Sequence, residues 1–152
     1  EGLVDQASQL NVSTLQWLDT DRSVVKPKEG GNKLAKWRRL ALASAPPCPR
    51  THLMHVLEPL SLDKVLAAAG GHPVLWLEPR EDAATRPLSA ILQQSPTCLT
   101  ALIGPEGGWS DEELSQFASA NIPLLSLGST ILRLETAALA VAAIAQSRLA
   151  FR

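Results

Sequence analysis

Short apolar runs alternate along this chain with segments in which apolar residues return every three or four positions. Val74-Leu75-Trp76-Leu77, Leu99-Thr100-Ala101-Leu102-Ile103 and Pro123-Leu124-Leu125-Ser126-Leu127 are brief, almost wholly apolar and bounded by turn-forming residues. A sheet wetted on one face alternates polar and apolar positions, so unbroken runs of this kind predict a parallel sheet covered on both faces. Leu53–Leu57 is a further strand candidate. Between the runs, Lys33–Ser44 carries Leu34, Trp37, Leu40 and Ala41 at helical spacing. Ser61 stands where it would cap a helix bearing Val65 and Leu66. Thr85 does the same, with Pro87 in the first turn, for a helix bearing Leu88, Ile91 and Leu92. Ser110-Asp111-Glu112-Glu113 is a capping box, with Ser110 at the N-cap and Glu113 three residues on. The last helix is predicted from about Glu135 to Leu149, and Glu1–Ala7 also reads as part of a helix. Strands alternating with helices give an α/β domain.

Breakers separate these segments. Gly30-Gly31-Asn32 is one, and Gly70-Gly71-His72-Pro73 another. Ala45-Pro46-Pro47-Cys48-Pro49 forbids helix, because its prolines fix φ and remove backbone donors.

Length and composition narrow the class. The 152 residues suffice for one domain with a sizeable core, and 45% of them are hydrophobic, too many for a disordered chain. The apolar stretch Ala137–Ala145 falls well short of the roughly 20 residues that span a bilayer, so it reads as buried helix. No basic segment followed by an apolar core marks a secretion signal. The helix-like start at Glu1 leads us to expect a chain that begins inside a longer protein. Cys48 and Cys98 form no CxxC pair and cannot build a disulfide framework, which favours a reducing, cytoplasmic setting. The formal net charge is −1, which counts against a strongly basic surface across the whole domain. Arg22, Lys26, Lys28, Lys33, Lys36, Arg38, Arg39 and Arg50 nevertheless crowd the first third, where any nucleic-acid contact is expected.

Ligands of such sheets sit beyond the carboxyl ends of the strands. Three stretches occupy that place: Glu78-Pro79, Gly104-Pro105-Glu106-Gly107-Gly108, and Gly128-Ser129-Thr130-Ile131-Leu132-Arg133. Glycine lets the second approach a ligand closely. Neither a P-loop nor a GxGxxG fingerprint is present, which removes the nucleotide-phosphate and dinucleotide classes. The third stretch is too apolar for an ordinary exposed loop. Buried, it needs partners for its backbone groups, and an adenine ring would supply them.

These stretches resemble one family specifically. Ile103-Gly104-Pro105-Glu106-Gly107-Gly108-Trp109-Ser110, followed by Glu113, is similar to the IGPEGGFS-x-x-E signature of the RsmE-type ribosomal RNA methyltransferases. Leu127-Gly128, Ile131-Leu132-Arg133 and Glu135-Thr136-Ala137 resemble that family's LGxRILRxETA. Arg22-Ser23-Val24-Val25-Lys26 resembles its ERSVVK, and Leu3 to Val12 resembles its LIQKATELGV. The likeness therefore runs over nearly the whole chain. It implies the SPOUT fold, a parallel sheet flanked by helices with a C-terminal trefoil knot. It implies S-adenosylmethionine as cofactor, held by Leu77, Glu78, Ile103, Gly104, Pro105, Glu106, Gly107, Leu127, Gly128, Ile131, Leu132 and Thr136. It further implies a homodimer, and a small PUA-like β-barrel RNA-binding domain ahead of residues 1–152.

The implied reaction is methylation of a uridine N3 in small-subunit (16S) ribosomal RNA. No metal is required for it and no metal-ligand spacing is present. A uridine N3 must lose its proton, so a cation near the ring anion would help; Arg50 and Arg133 are the candidates, and Glu106 is a candidate base. Arg22, Lys26 and Arg50 are the RNA-side candidates. Departures from the family occur at Pro46-Pro47-Cys48-Pro49-Arg50, where EQSxR is the pattern, and at Gln6, Gln9 and Thr130. A related knotted methyltransferase acting on another RNA, or a non-catalytic RNA-binding module, remain the alternatives.

Overall fold

A computed structural model describes residues 1–24, 31–45, 53–69, 73–77, 86–93 and 97–149. In chain order the elements are α1 (Gly2–Gln9), β1 (Thr14–Asp19), α2 (Asn32–Ala43), β2 (His55–Ser61), α3 (Leu62–Ala68), β3 (Val74–Leu77), β4 (Arg86–Pro87), α4 (Leu88–Leu92), β5 (Thr100–Ile103), α5 (Asp111–Ser119), β6 (Leu124–Ser126) and α6 (Leu134–Leu149). β1 and β2 pair in parallel. The other strands form a parallel sheet in the order β4-β6-β3-β5. Among the described residues every strand pairing is parallel, as the unbroken apolar runs predict for β3, β5 and β6.

The three apolar runs became β3, β5 and β6, with Val74, Leu75, Leu102, Leu124 and Leu125 buried. Helices cover this sheet. Leu88, Ile91 and Leu92 of α4 and Val141 of α6 pack with Leu75 and Leu125. Phe117 of α5 and Leu62 of α3 pack with Val74, Leu102 and Trp109. A separate cluster joins α1, α2 and β2 through Val4, Ala7, Leu34, Trp37, Ala41 and Val56. The capping box forms as read: Glu113 N–H donates to Ser110 Oγ at 3.2 Å, and Ser110 N–H donates to the Glu113 carboxylate at 2.8 Å.

Three local expectations shift. The second strand runs His55–Ser61 rather than Leu53–Leu57, because its ladder with β1 extends to the Asp19–Ser61 pair. β1 itself was not anticipated; its mixed sequence Thr14-Leu15-Gln16-Trp17-Leu18-Asp19 shows no clean alternation, and its positions from Leu15 to Leu18 are all half-buried. Pro87 is not in a first helical turn. It is the extended N-cap of α4 and pairs with Ser126 of β6; sheet pairing won over the local helix signal. Thr85 lies outside the described residues. Among the described residues, no helix is long and apolar enough to cross a membrane.

Candidate functional site

The loops after β3, β5 and β6 meet at one end of the sheet. A cavity of about 300 Å³ opens between them. It is lined by Leu77 from β3, by Ile103, Gly104, Pro105 and Glu106 from the end of β5 onward, and by Leu127, Gly128, Ile131 and Leu132 after β6. Gly108, Trp109, Thr130, Arg133, Leu134 and Ala137 complete the wall. The two bends centred on Gly104 and Gly128 thus face the same space. Parallel strands β5, β3 and β6 lie side by side and deliver their carboxyl ends together, which explains why three separated sequence stretches converge.

Trp109 braces this convergence. Its ring is 3% exposed and packs edge-on against Phe117 at 4.9 Å and against Trp76 at 6.4 Å. Its indole N–H donates to the Leu77 carbonyl oxygen at 3.1 Å, tying the end of β3 to the loop beyond β5. Gly104 is required by the same ring: a Cβ there would lie 2.9 Å from the Trp109 indole. Gly128 has a different reason. Its φ of +116° is one that side chains rarely adopt, and a Cβ at this position would project into open space.

A second brace comes from the turn after β1. Ser110 Oγ donates to the Asp21 carboxylate at 2.6 Å, and the Asp21 N–H donates to the Glu113 carboxylate at 3.1 Å. Glu113 is 4% exposed, and both its oxygens are used, one by Ser110 N–H and one by Asp21 N–H. Arg22 reaches from this turn to the Gly107 carbonyl oxygen at 3.2 Å. The acidic residues Asp111, Glu112 and Glu113 sit in the first turn of α5, where they favour the helix dipole.

Against the sequence expectations, the structure brings Leu77, Ile103, Gly104, Pro105, Glu106, Leu127, Gly128, Ile131 and Leu132 into one wall. Gly107 and Thr136 are not among the lining residues. A Cβ on Gly107 would meet Arg22 Cβ at 3.2 Å, so this glycine serves the contact between the β1 turn and the loop. Glu106 and Arg133 are exposed at the edge of the cavity. Arg22 is exposed and occupied by Gly107. Glu78, Lys26 and Arg50 lie outside the described residues. Sequence reasoning passed over Trp109, although it stands inside the signature that was recognised. It also passed over Asp21, whose partners lie 89 and 92 positions away.

A profile of the RNA methyltransferase domain matches residues 1–146. A curated relative from Synechocystis, ribosomal RNA small subunit methyltransferase E, is 32% identical over 90% of this chain and 45% of its own length. Its namesake from Bacillus subtilis is 27% identical over 91% of this chain and 57% of its own length. Among solved structures, a putative methyltransferase from Legionella pneumophila in complex with S-adenosylmethionine superposes with a TM-score of 0.76 at 30% identity, covering 95% of this chain and 59% of that one. Ribosomal RNA small subunit methyltransferase E from Neisseria gonorrhoeae, also bound to S-adenosylmethionine, gives a TM-score of 0.79 at 26% identity, with 95% and 59% covered. The chain therefore spans about half the length of the curated relatives named here.

Proposed function

The chain belongs to the RNA methyltransferase domain family, and on that premise we propose that it is an S-adenosylmethionine-dependent ribosomal RNA methyltransferase that modifies a uridine N3 in the small subunit. The observation that carries this reading is the single cavity shared by the Gly104 and Gly128 bends. Its volume of about 300 Å³ lies at the lower end of the range for small-molecule sites. Leu77, Ile103, Leu127 and Leu132 offer apolar walls for an adenine ring, and Gly128 leaves open the space a Cβ would fill. Relatives of the same fold bind this cofactor.

When bound, the cofactor supplies an electrophilic methyl group on a sulfonium. The residues of this chain supply position and field. Three bends hold the pocket rigid through the Trp109–Leu77 and Asp21–Ser110 bonds, and alignment of the reacting atoms accounts for much of the rate of a displacement reaction. Arg133, charged and exposed at the edge of the cavity, is placed to stabilise the anion left when a uridine ring loses its N3 proton. Glu106, also exposed among the lining residues, accepts that proton. Arg50 belongs to the same proposal as a second cation, and Lys26 and Arg22 as phosphate contacts.

The trefoil knot implied by the resemblance goes with this reading. It is supported by the strand order, in which the last strand β6 lies between β4 and β3 instead of joining an edge. A homodimer goes with it too: α6 is apolar in sequence, yet Ile144 on it is 39% exposed, and Ile131 in the loop before it is 78% exposed. A ribosomal substrate fits a cytoplasmic setting.

Calorimetry with S-adenosylmethionine, followed by transfer of labelled methyl groups to small-subunit ribosomal RNA and to transfer RNA, tests the proposal. We expect saturable cofactor binding and labelling of the ribosomal substrate. No heat of binding would leave a non-catalytic RNA-binding module, and labelling of transfer RNA alone would move the enzyme to another substrate.

A further inference from the structure

Away from the cofactor cavity, a second hollow of about 140 Å³ lies between β1, β2 and the start of α2. Trp17, Leu57 and Pro59 line one part of it, and Asn32, Lys33 and Trp37 another. We infer that this hollow receives an unpaired base of the RNA substrate, stacked against Trp17, with an adjoining phosphate on Lys33 at the start of α2. The inference rests on the reading that the substrate is RNA, and it adds a subsite which that reading does not contain.

Three observations point to a nucleotide. Trp17 is half-buried and stacks on Trp37 at 4.4 Å, so its ring is held in a fixed plane while it lines the hollow. Fixed aromatic planes bind any base through its π-face. Lys33 Nζ lies 5.0 Å from the Trp37 ring centroid, placing a cation beside the aromatic pair. Gly31, the N-cap of the 12-residue α2, and Asn32 both line the hollow, so the positive end of the helix dipole borders it. An apolar protein segment would leave the Lys33 charge and the helix start unmatched, whereas a nucleotide carries both a flat ring and a negative charge.

The place suits the reaction. Trp17 lies in the carboxyl half of β1, two residues before its end at Asp19, and the Thr20–Ser23 turn that follows carries the Arg22 contact to Gly107. The hollow is therefore on the end of β1 nearest the cofactor loop, where a base flanking the modified one would lie.

The test uses the full chain and a labelled single-stranded oligouridylate, with a blunt RNA duplex as control, read by fluorescence anisotropy. Trp17→Ala is expected to weaken oligouridylate binding about tenfold, with Trp17→Phe recovering most of it. Lys33→Glu, which leaves the aromatic pair in place, is expected to weaken binding and flatten its salt dependence. S-adenosylmethionine affinity, measured by calorimetry, stays unchanged in all three variants. Unaltered oligouridylate binding by both Trp17→Ala and Lys33→Glu would overturn the subsite while leaving the cofactor site standing. Equal losses on duplex and single strand would overturn the stacking as well. Lack of cofactor binding by the unaltered chain would instead strike the catalytic proposal and leave the oligouridylate results to decide the subsite.

Discussion

Arg22 donates from Nη1 to the carbonyl oxygen of Gly107 at 3.2 Å, across 85 positions of sequence. The contact is possible because Gly107 has no side chain: a Cβ there would stand 3.2 Å from Arg22 Cβ and 3.4 Å from the Arg22 carbonyl oxygen. Gly107→Val should therefore push the β1 turn away from the loop. We expect a loss of about 1–3 kcal/mol, the usual cost of overfilling a packed contact, together with weaker cofactor binding. Urea unfolding and calorimetry on the same variant check both. Full stability in the variant would show that the turn is free to move aside.

Trp109→Phe keeps an aromatic ring against Phe117 but removes the donor to Leu77. The stranded carbonyl at the end of β3 should cost about 1–2 kcal/mol, and cofactor affinity should fall because Leu77 lines the cavity. Trp109→Ala should cost about 3–5 kcal/mol through the cavity it leaves. A Phe variant as stable and as tightly binding as the parent would remove the indole N–H from the account.

Ser110 serves two partners. It caps α5 and donates to Asp21. Ser110→Ala should destabilise the fold by about 1–2 kcal/mol, and Asp21→Asn should lose less, because the Asn side chain still offers an acceptor oxygen to the Ser110 hydroxyl. Thermal unfolding ranks the two. The reverse order would mean that the cap contributes little.

Arg133 stands exposed at the edge of the cavity. Arg133→Ala should lower kcat about 10²-fold, the scale for removing one charge-stabilising group, and change cofactor affinity much less. Arg133→Lys should recover part of the rate. Methyl-transfer kinetics with saturating cofactor separate the two effects; a variant that fails only through cofactor affinity would make Arg133 a binding residue.

Ile144 of α6 is 39% exposed on a helix whose sequence is mostly alanine, leucine and valine. In the proposed homodimer, Ile144→Glu buries a charge at the interface, so sedimentation should show monomers. A variant that still sediments as a dimer would place the interface elsewhere.

Much of the fold was legible in local pattern. β3, β5 and β6 are continuous apolar runs because both faces of their sheet are covered, and Ser110 with Glu113 marks the start of α5 within four residues. β1 was not legible, because its half-buried positions follow from packing against α2 and β2 and not from an alternation of its own. Pro87 misled for a related reason: its fixed φ suits a helix start, but pairing with Ser126 took it into the sheet. The glycine bends could be found from composition, yet their separate reasons could not. Gly104 answers to the Trp109 ring, Gly107 to Arg22 and Gly128 to its own φ.

The sequence alone determined which segments are strands buried on both faces, where α5 begins, and which stretches end those strands, since each depends on neighbours a few residues apart. Tertiary structure decided that three strand ends form one cavity, that Trp109 locks Leu77 to the next loop, and that Asp21 and Arg22 brace that loop from outside. These contacts join residues 32 to 92 positions apart. They exist only when parallel strands are laid side by side, an arrangement set by packing of the whole core and written in no single stretch of the chain.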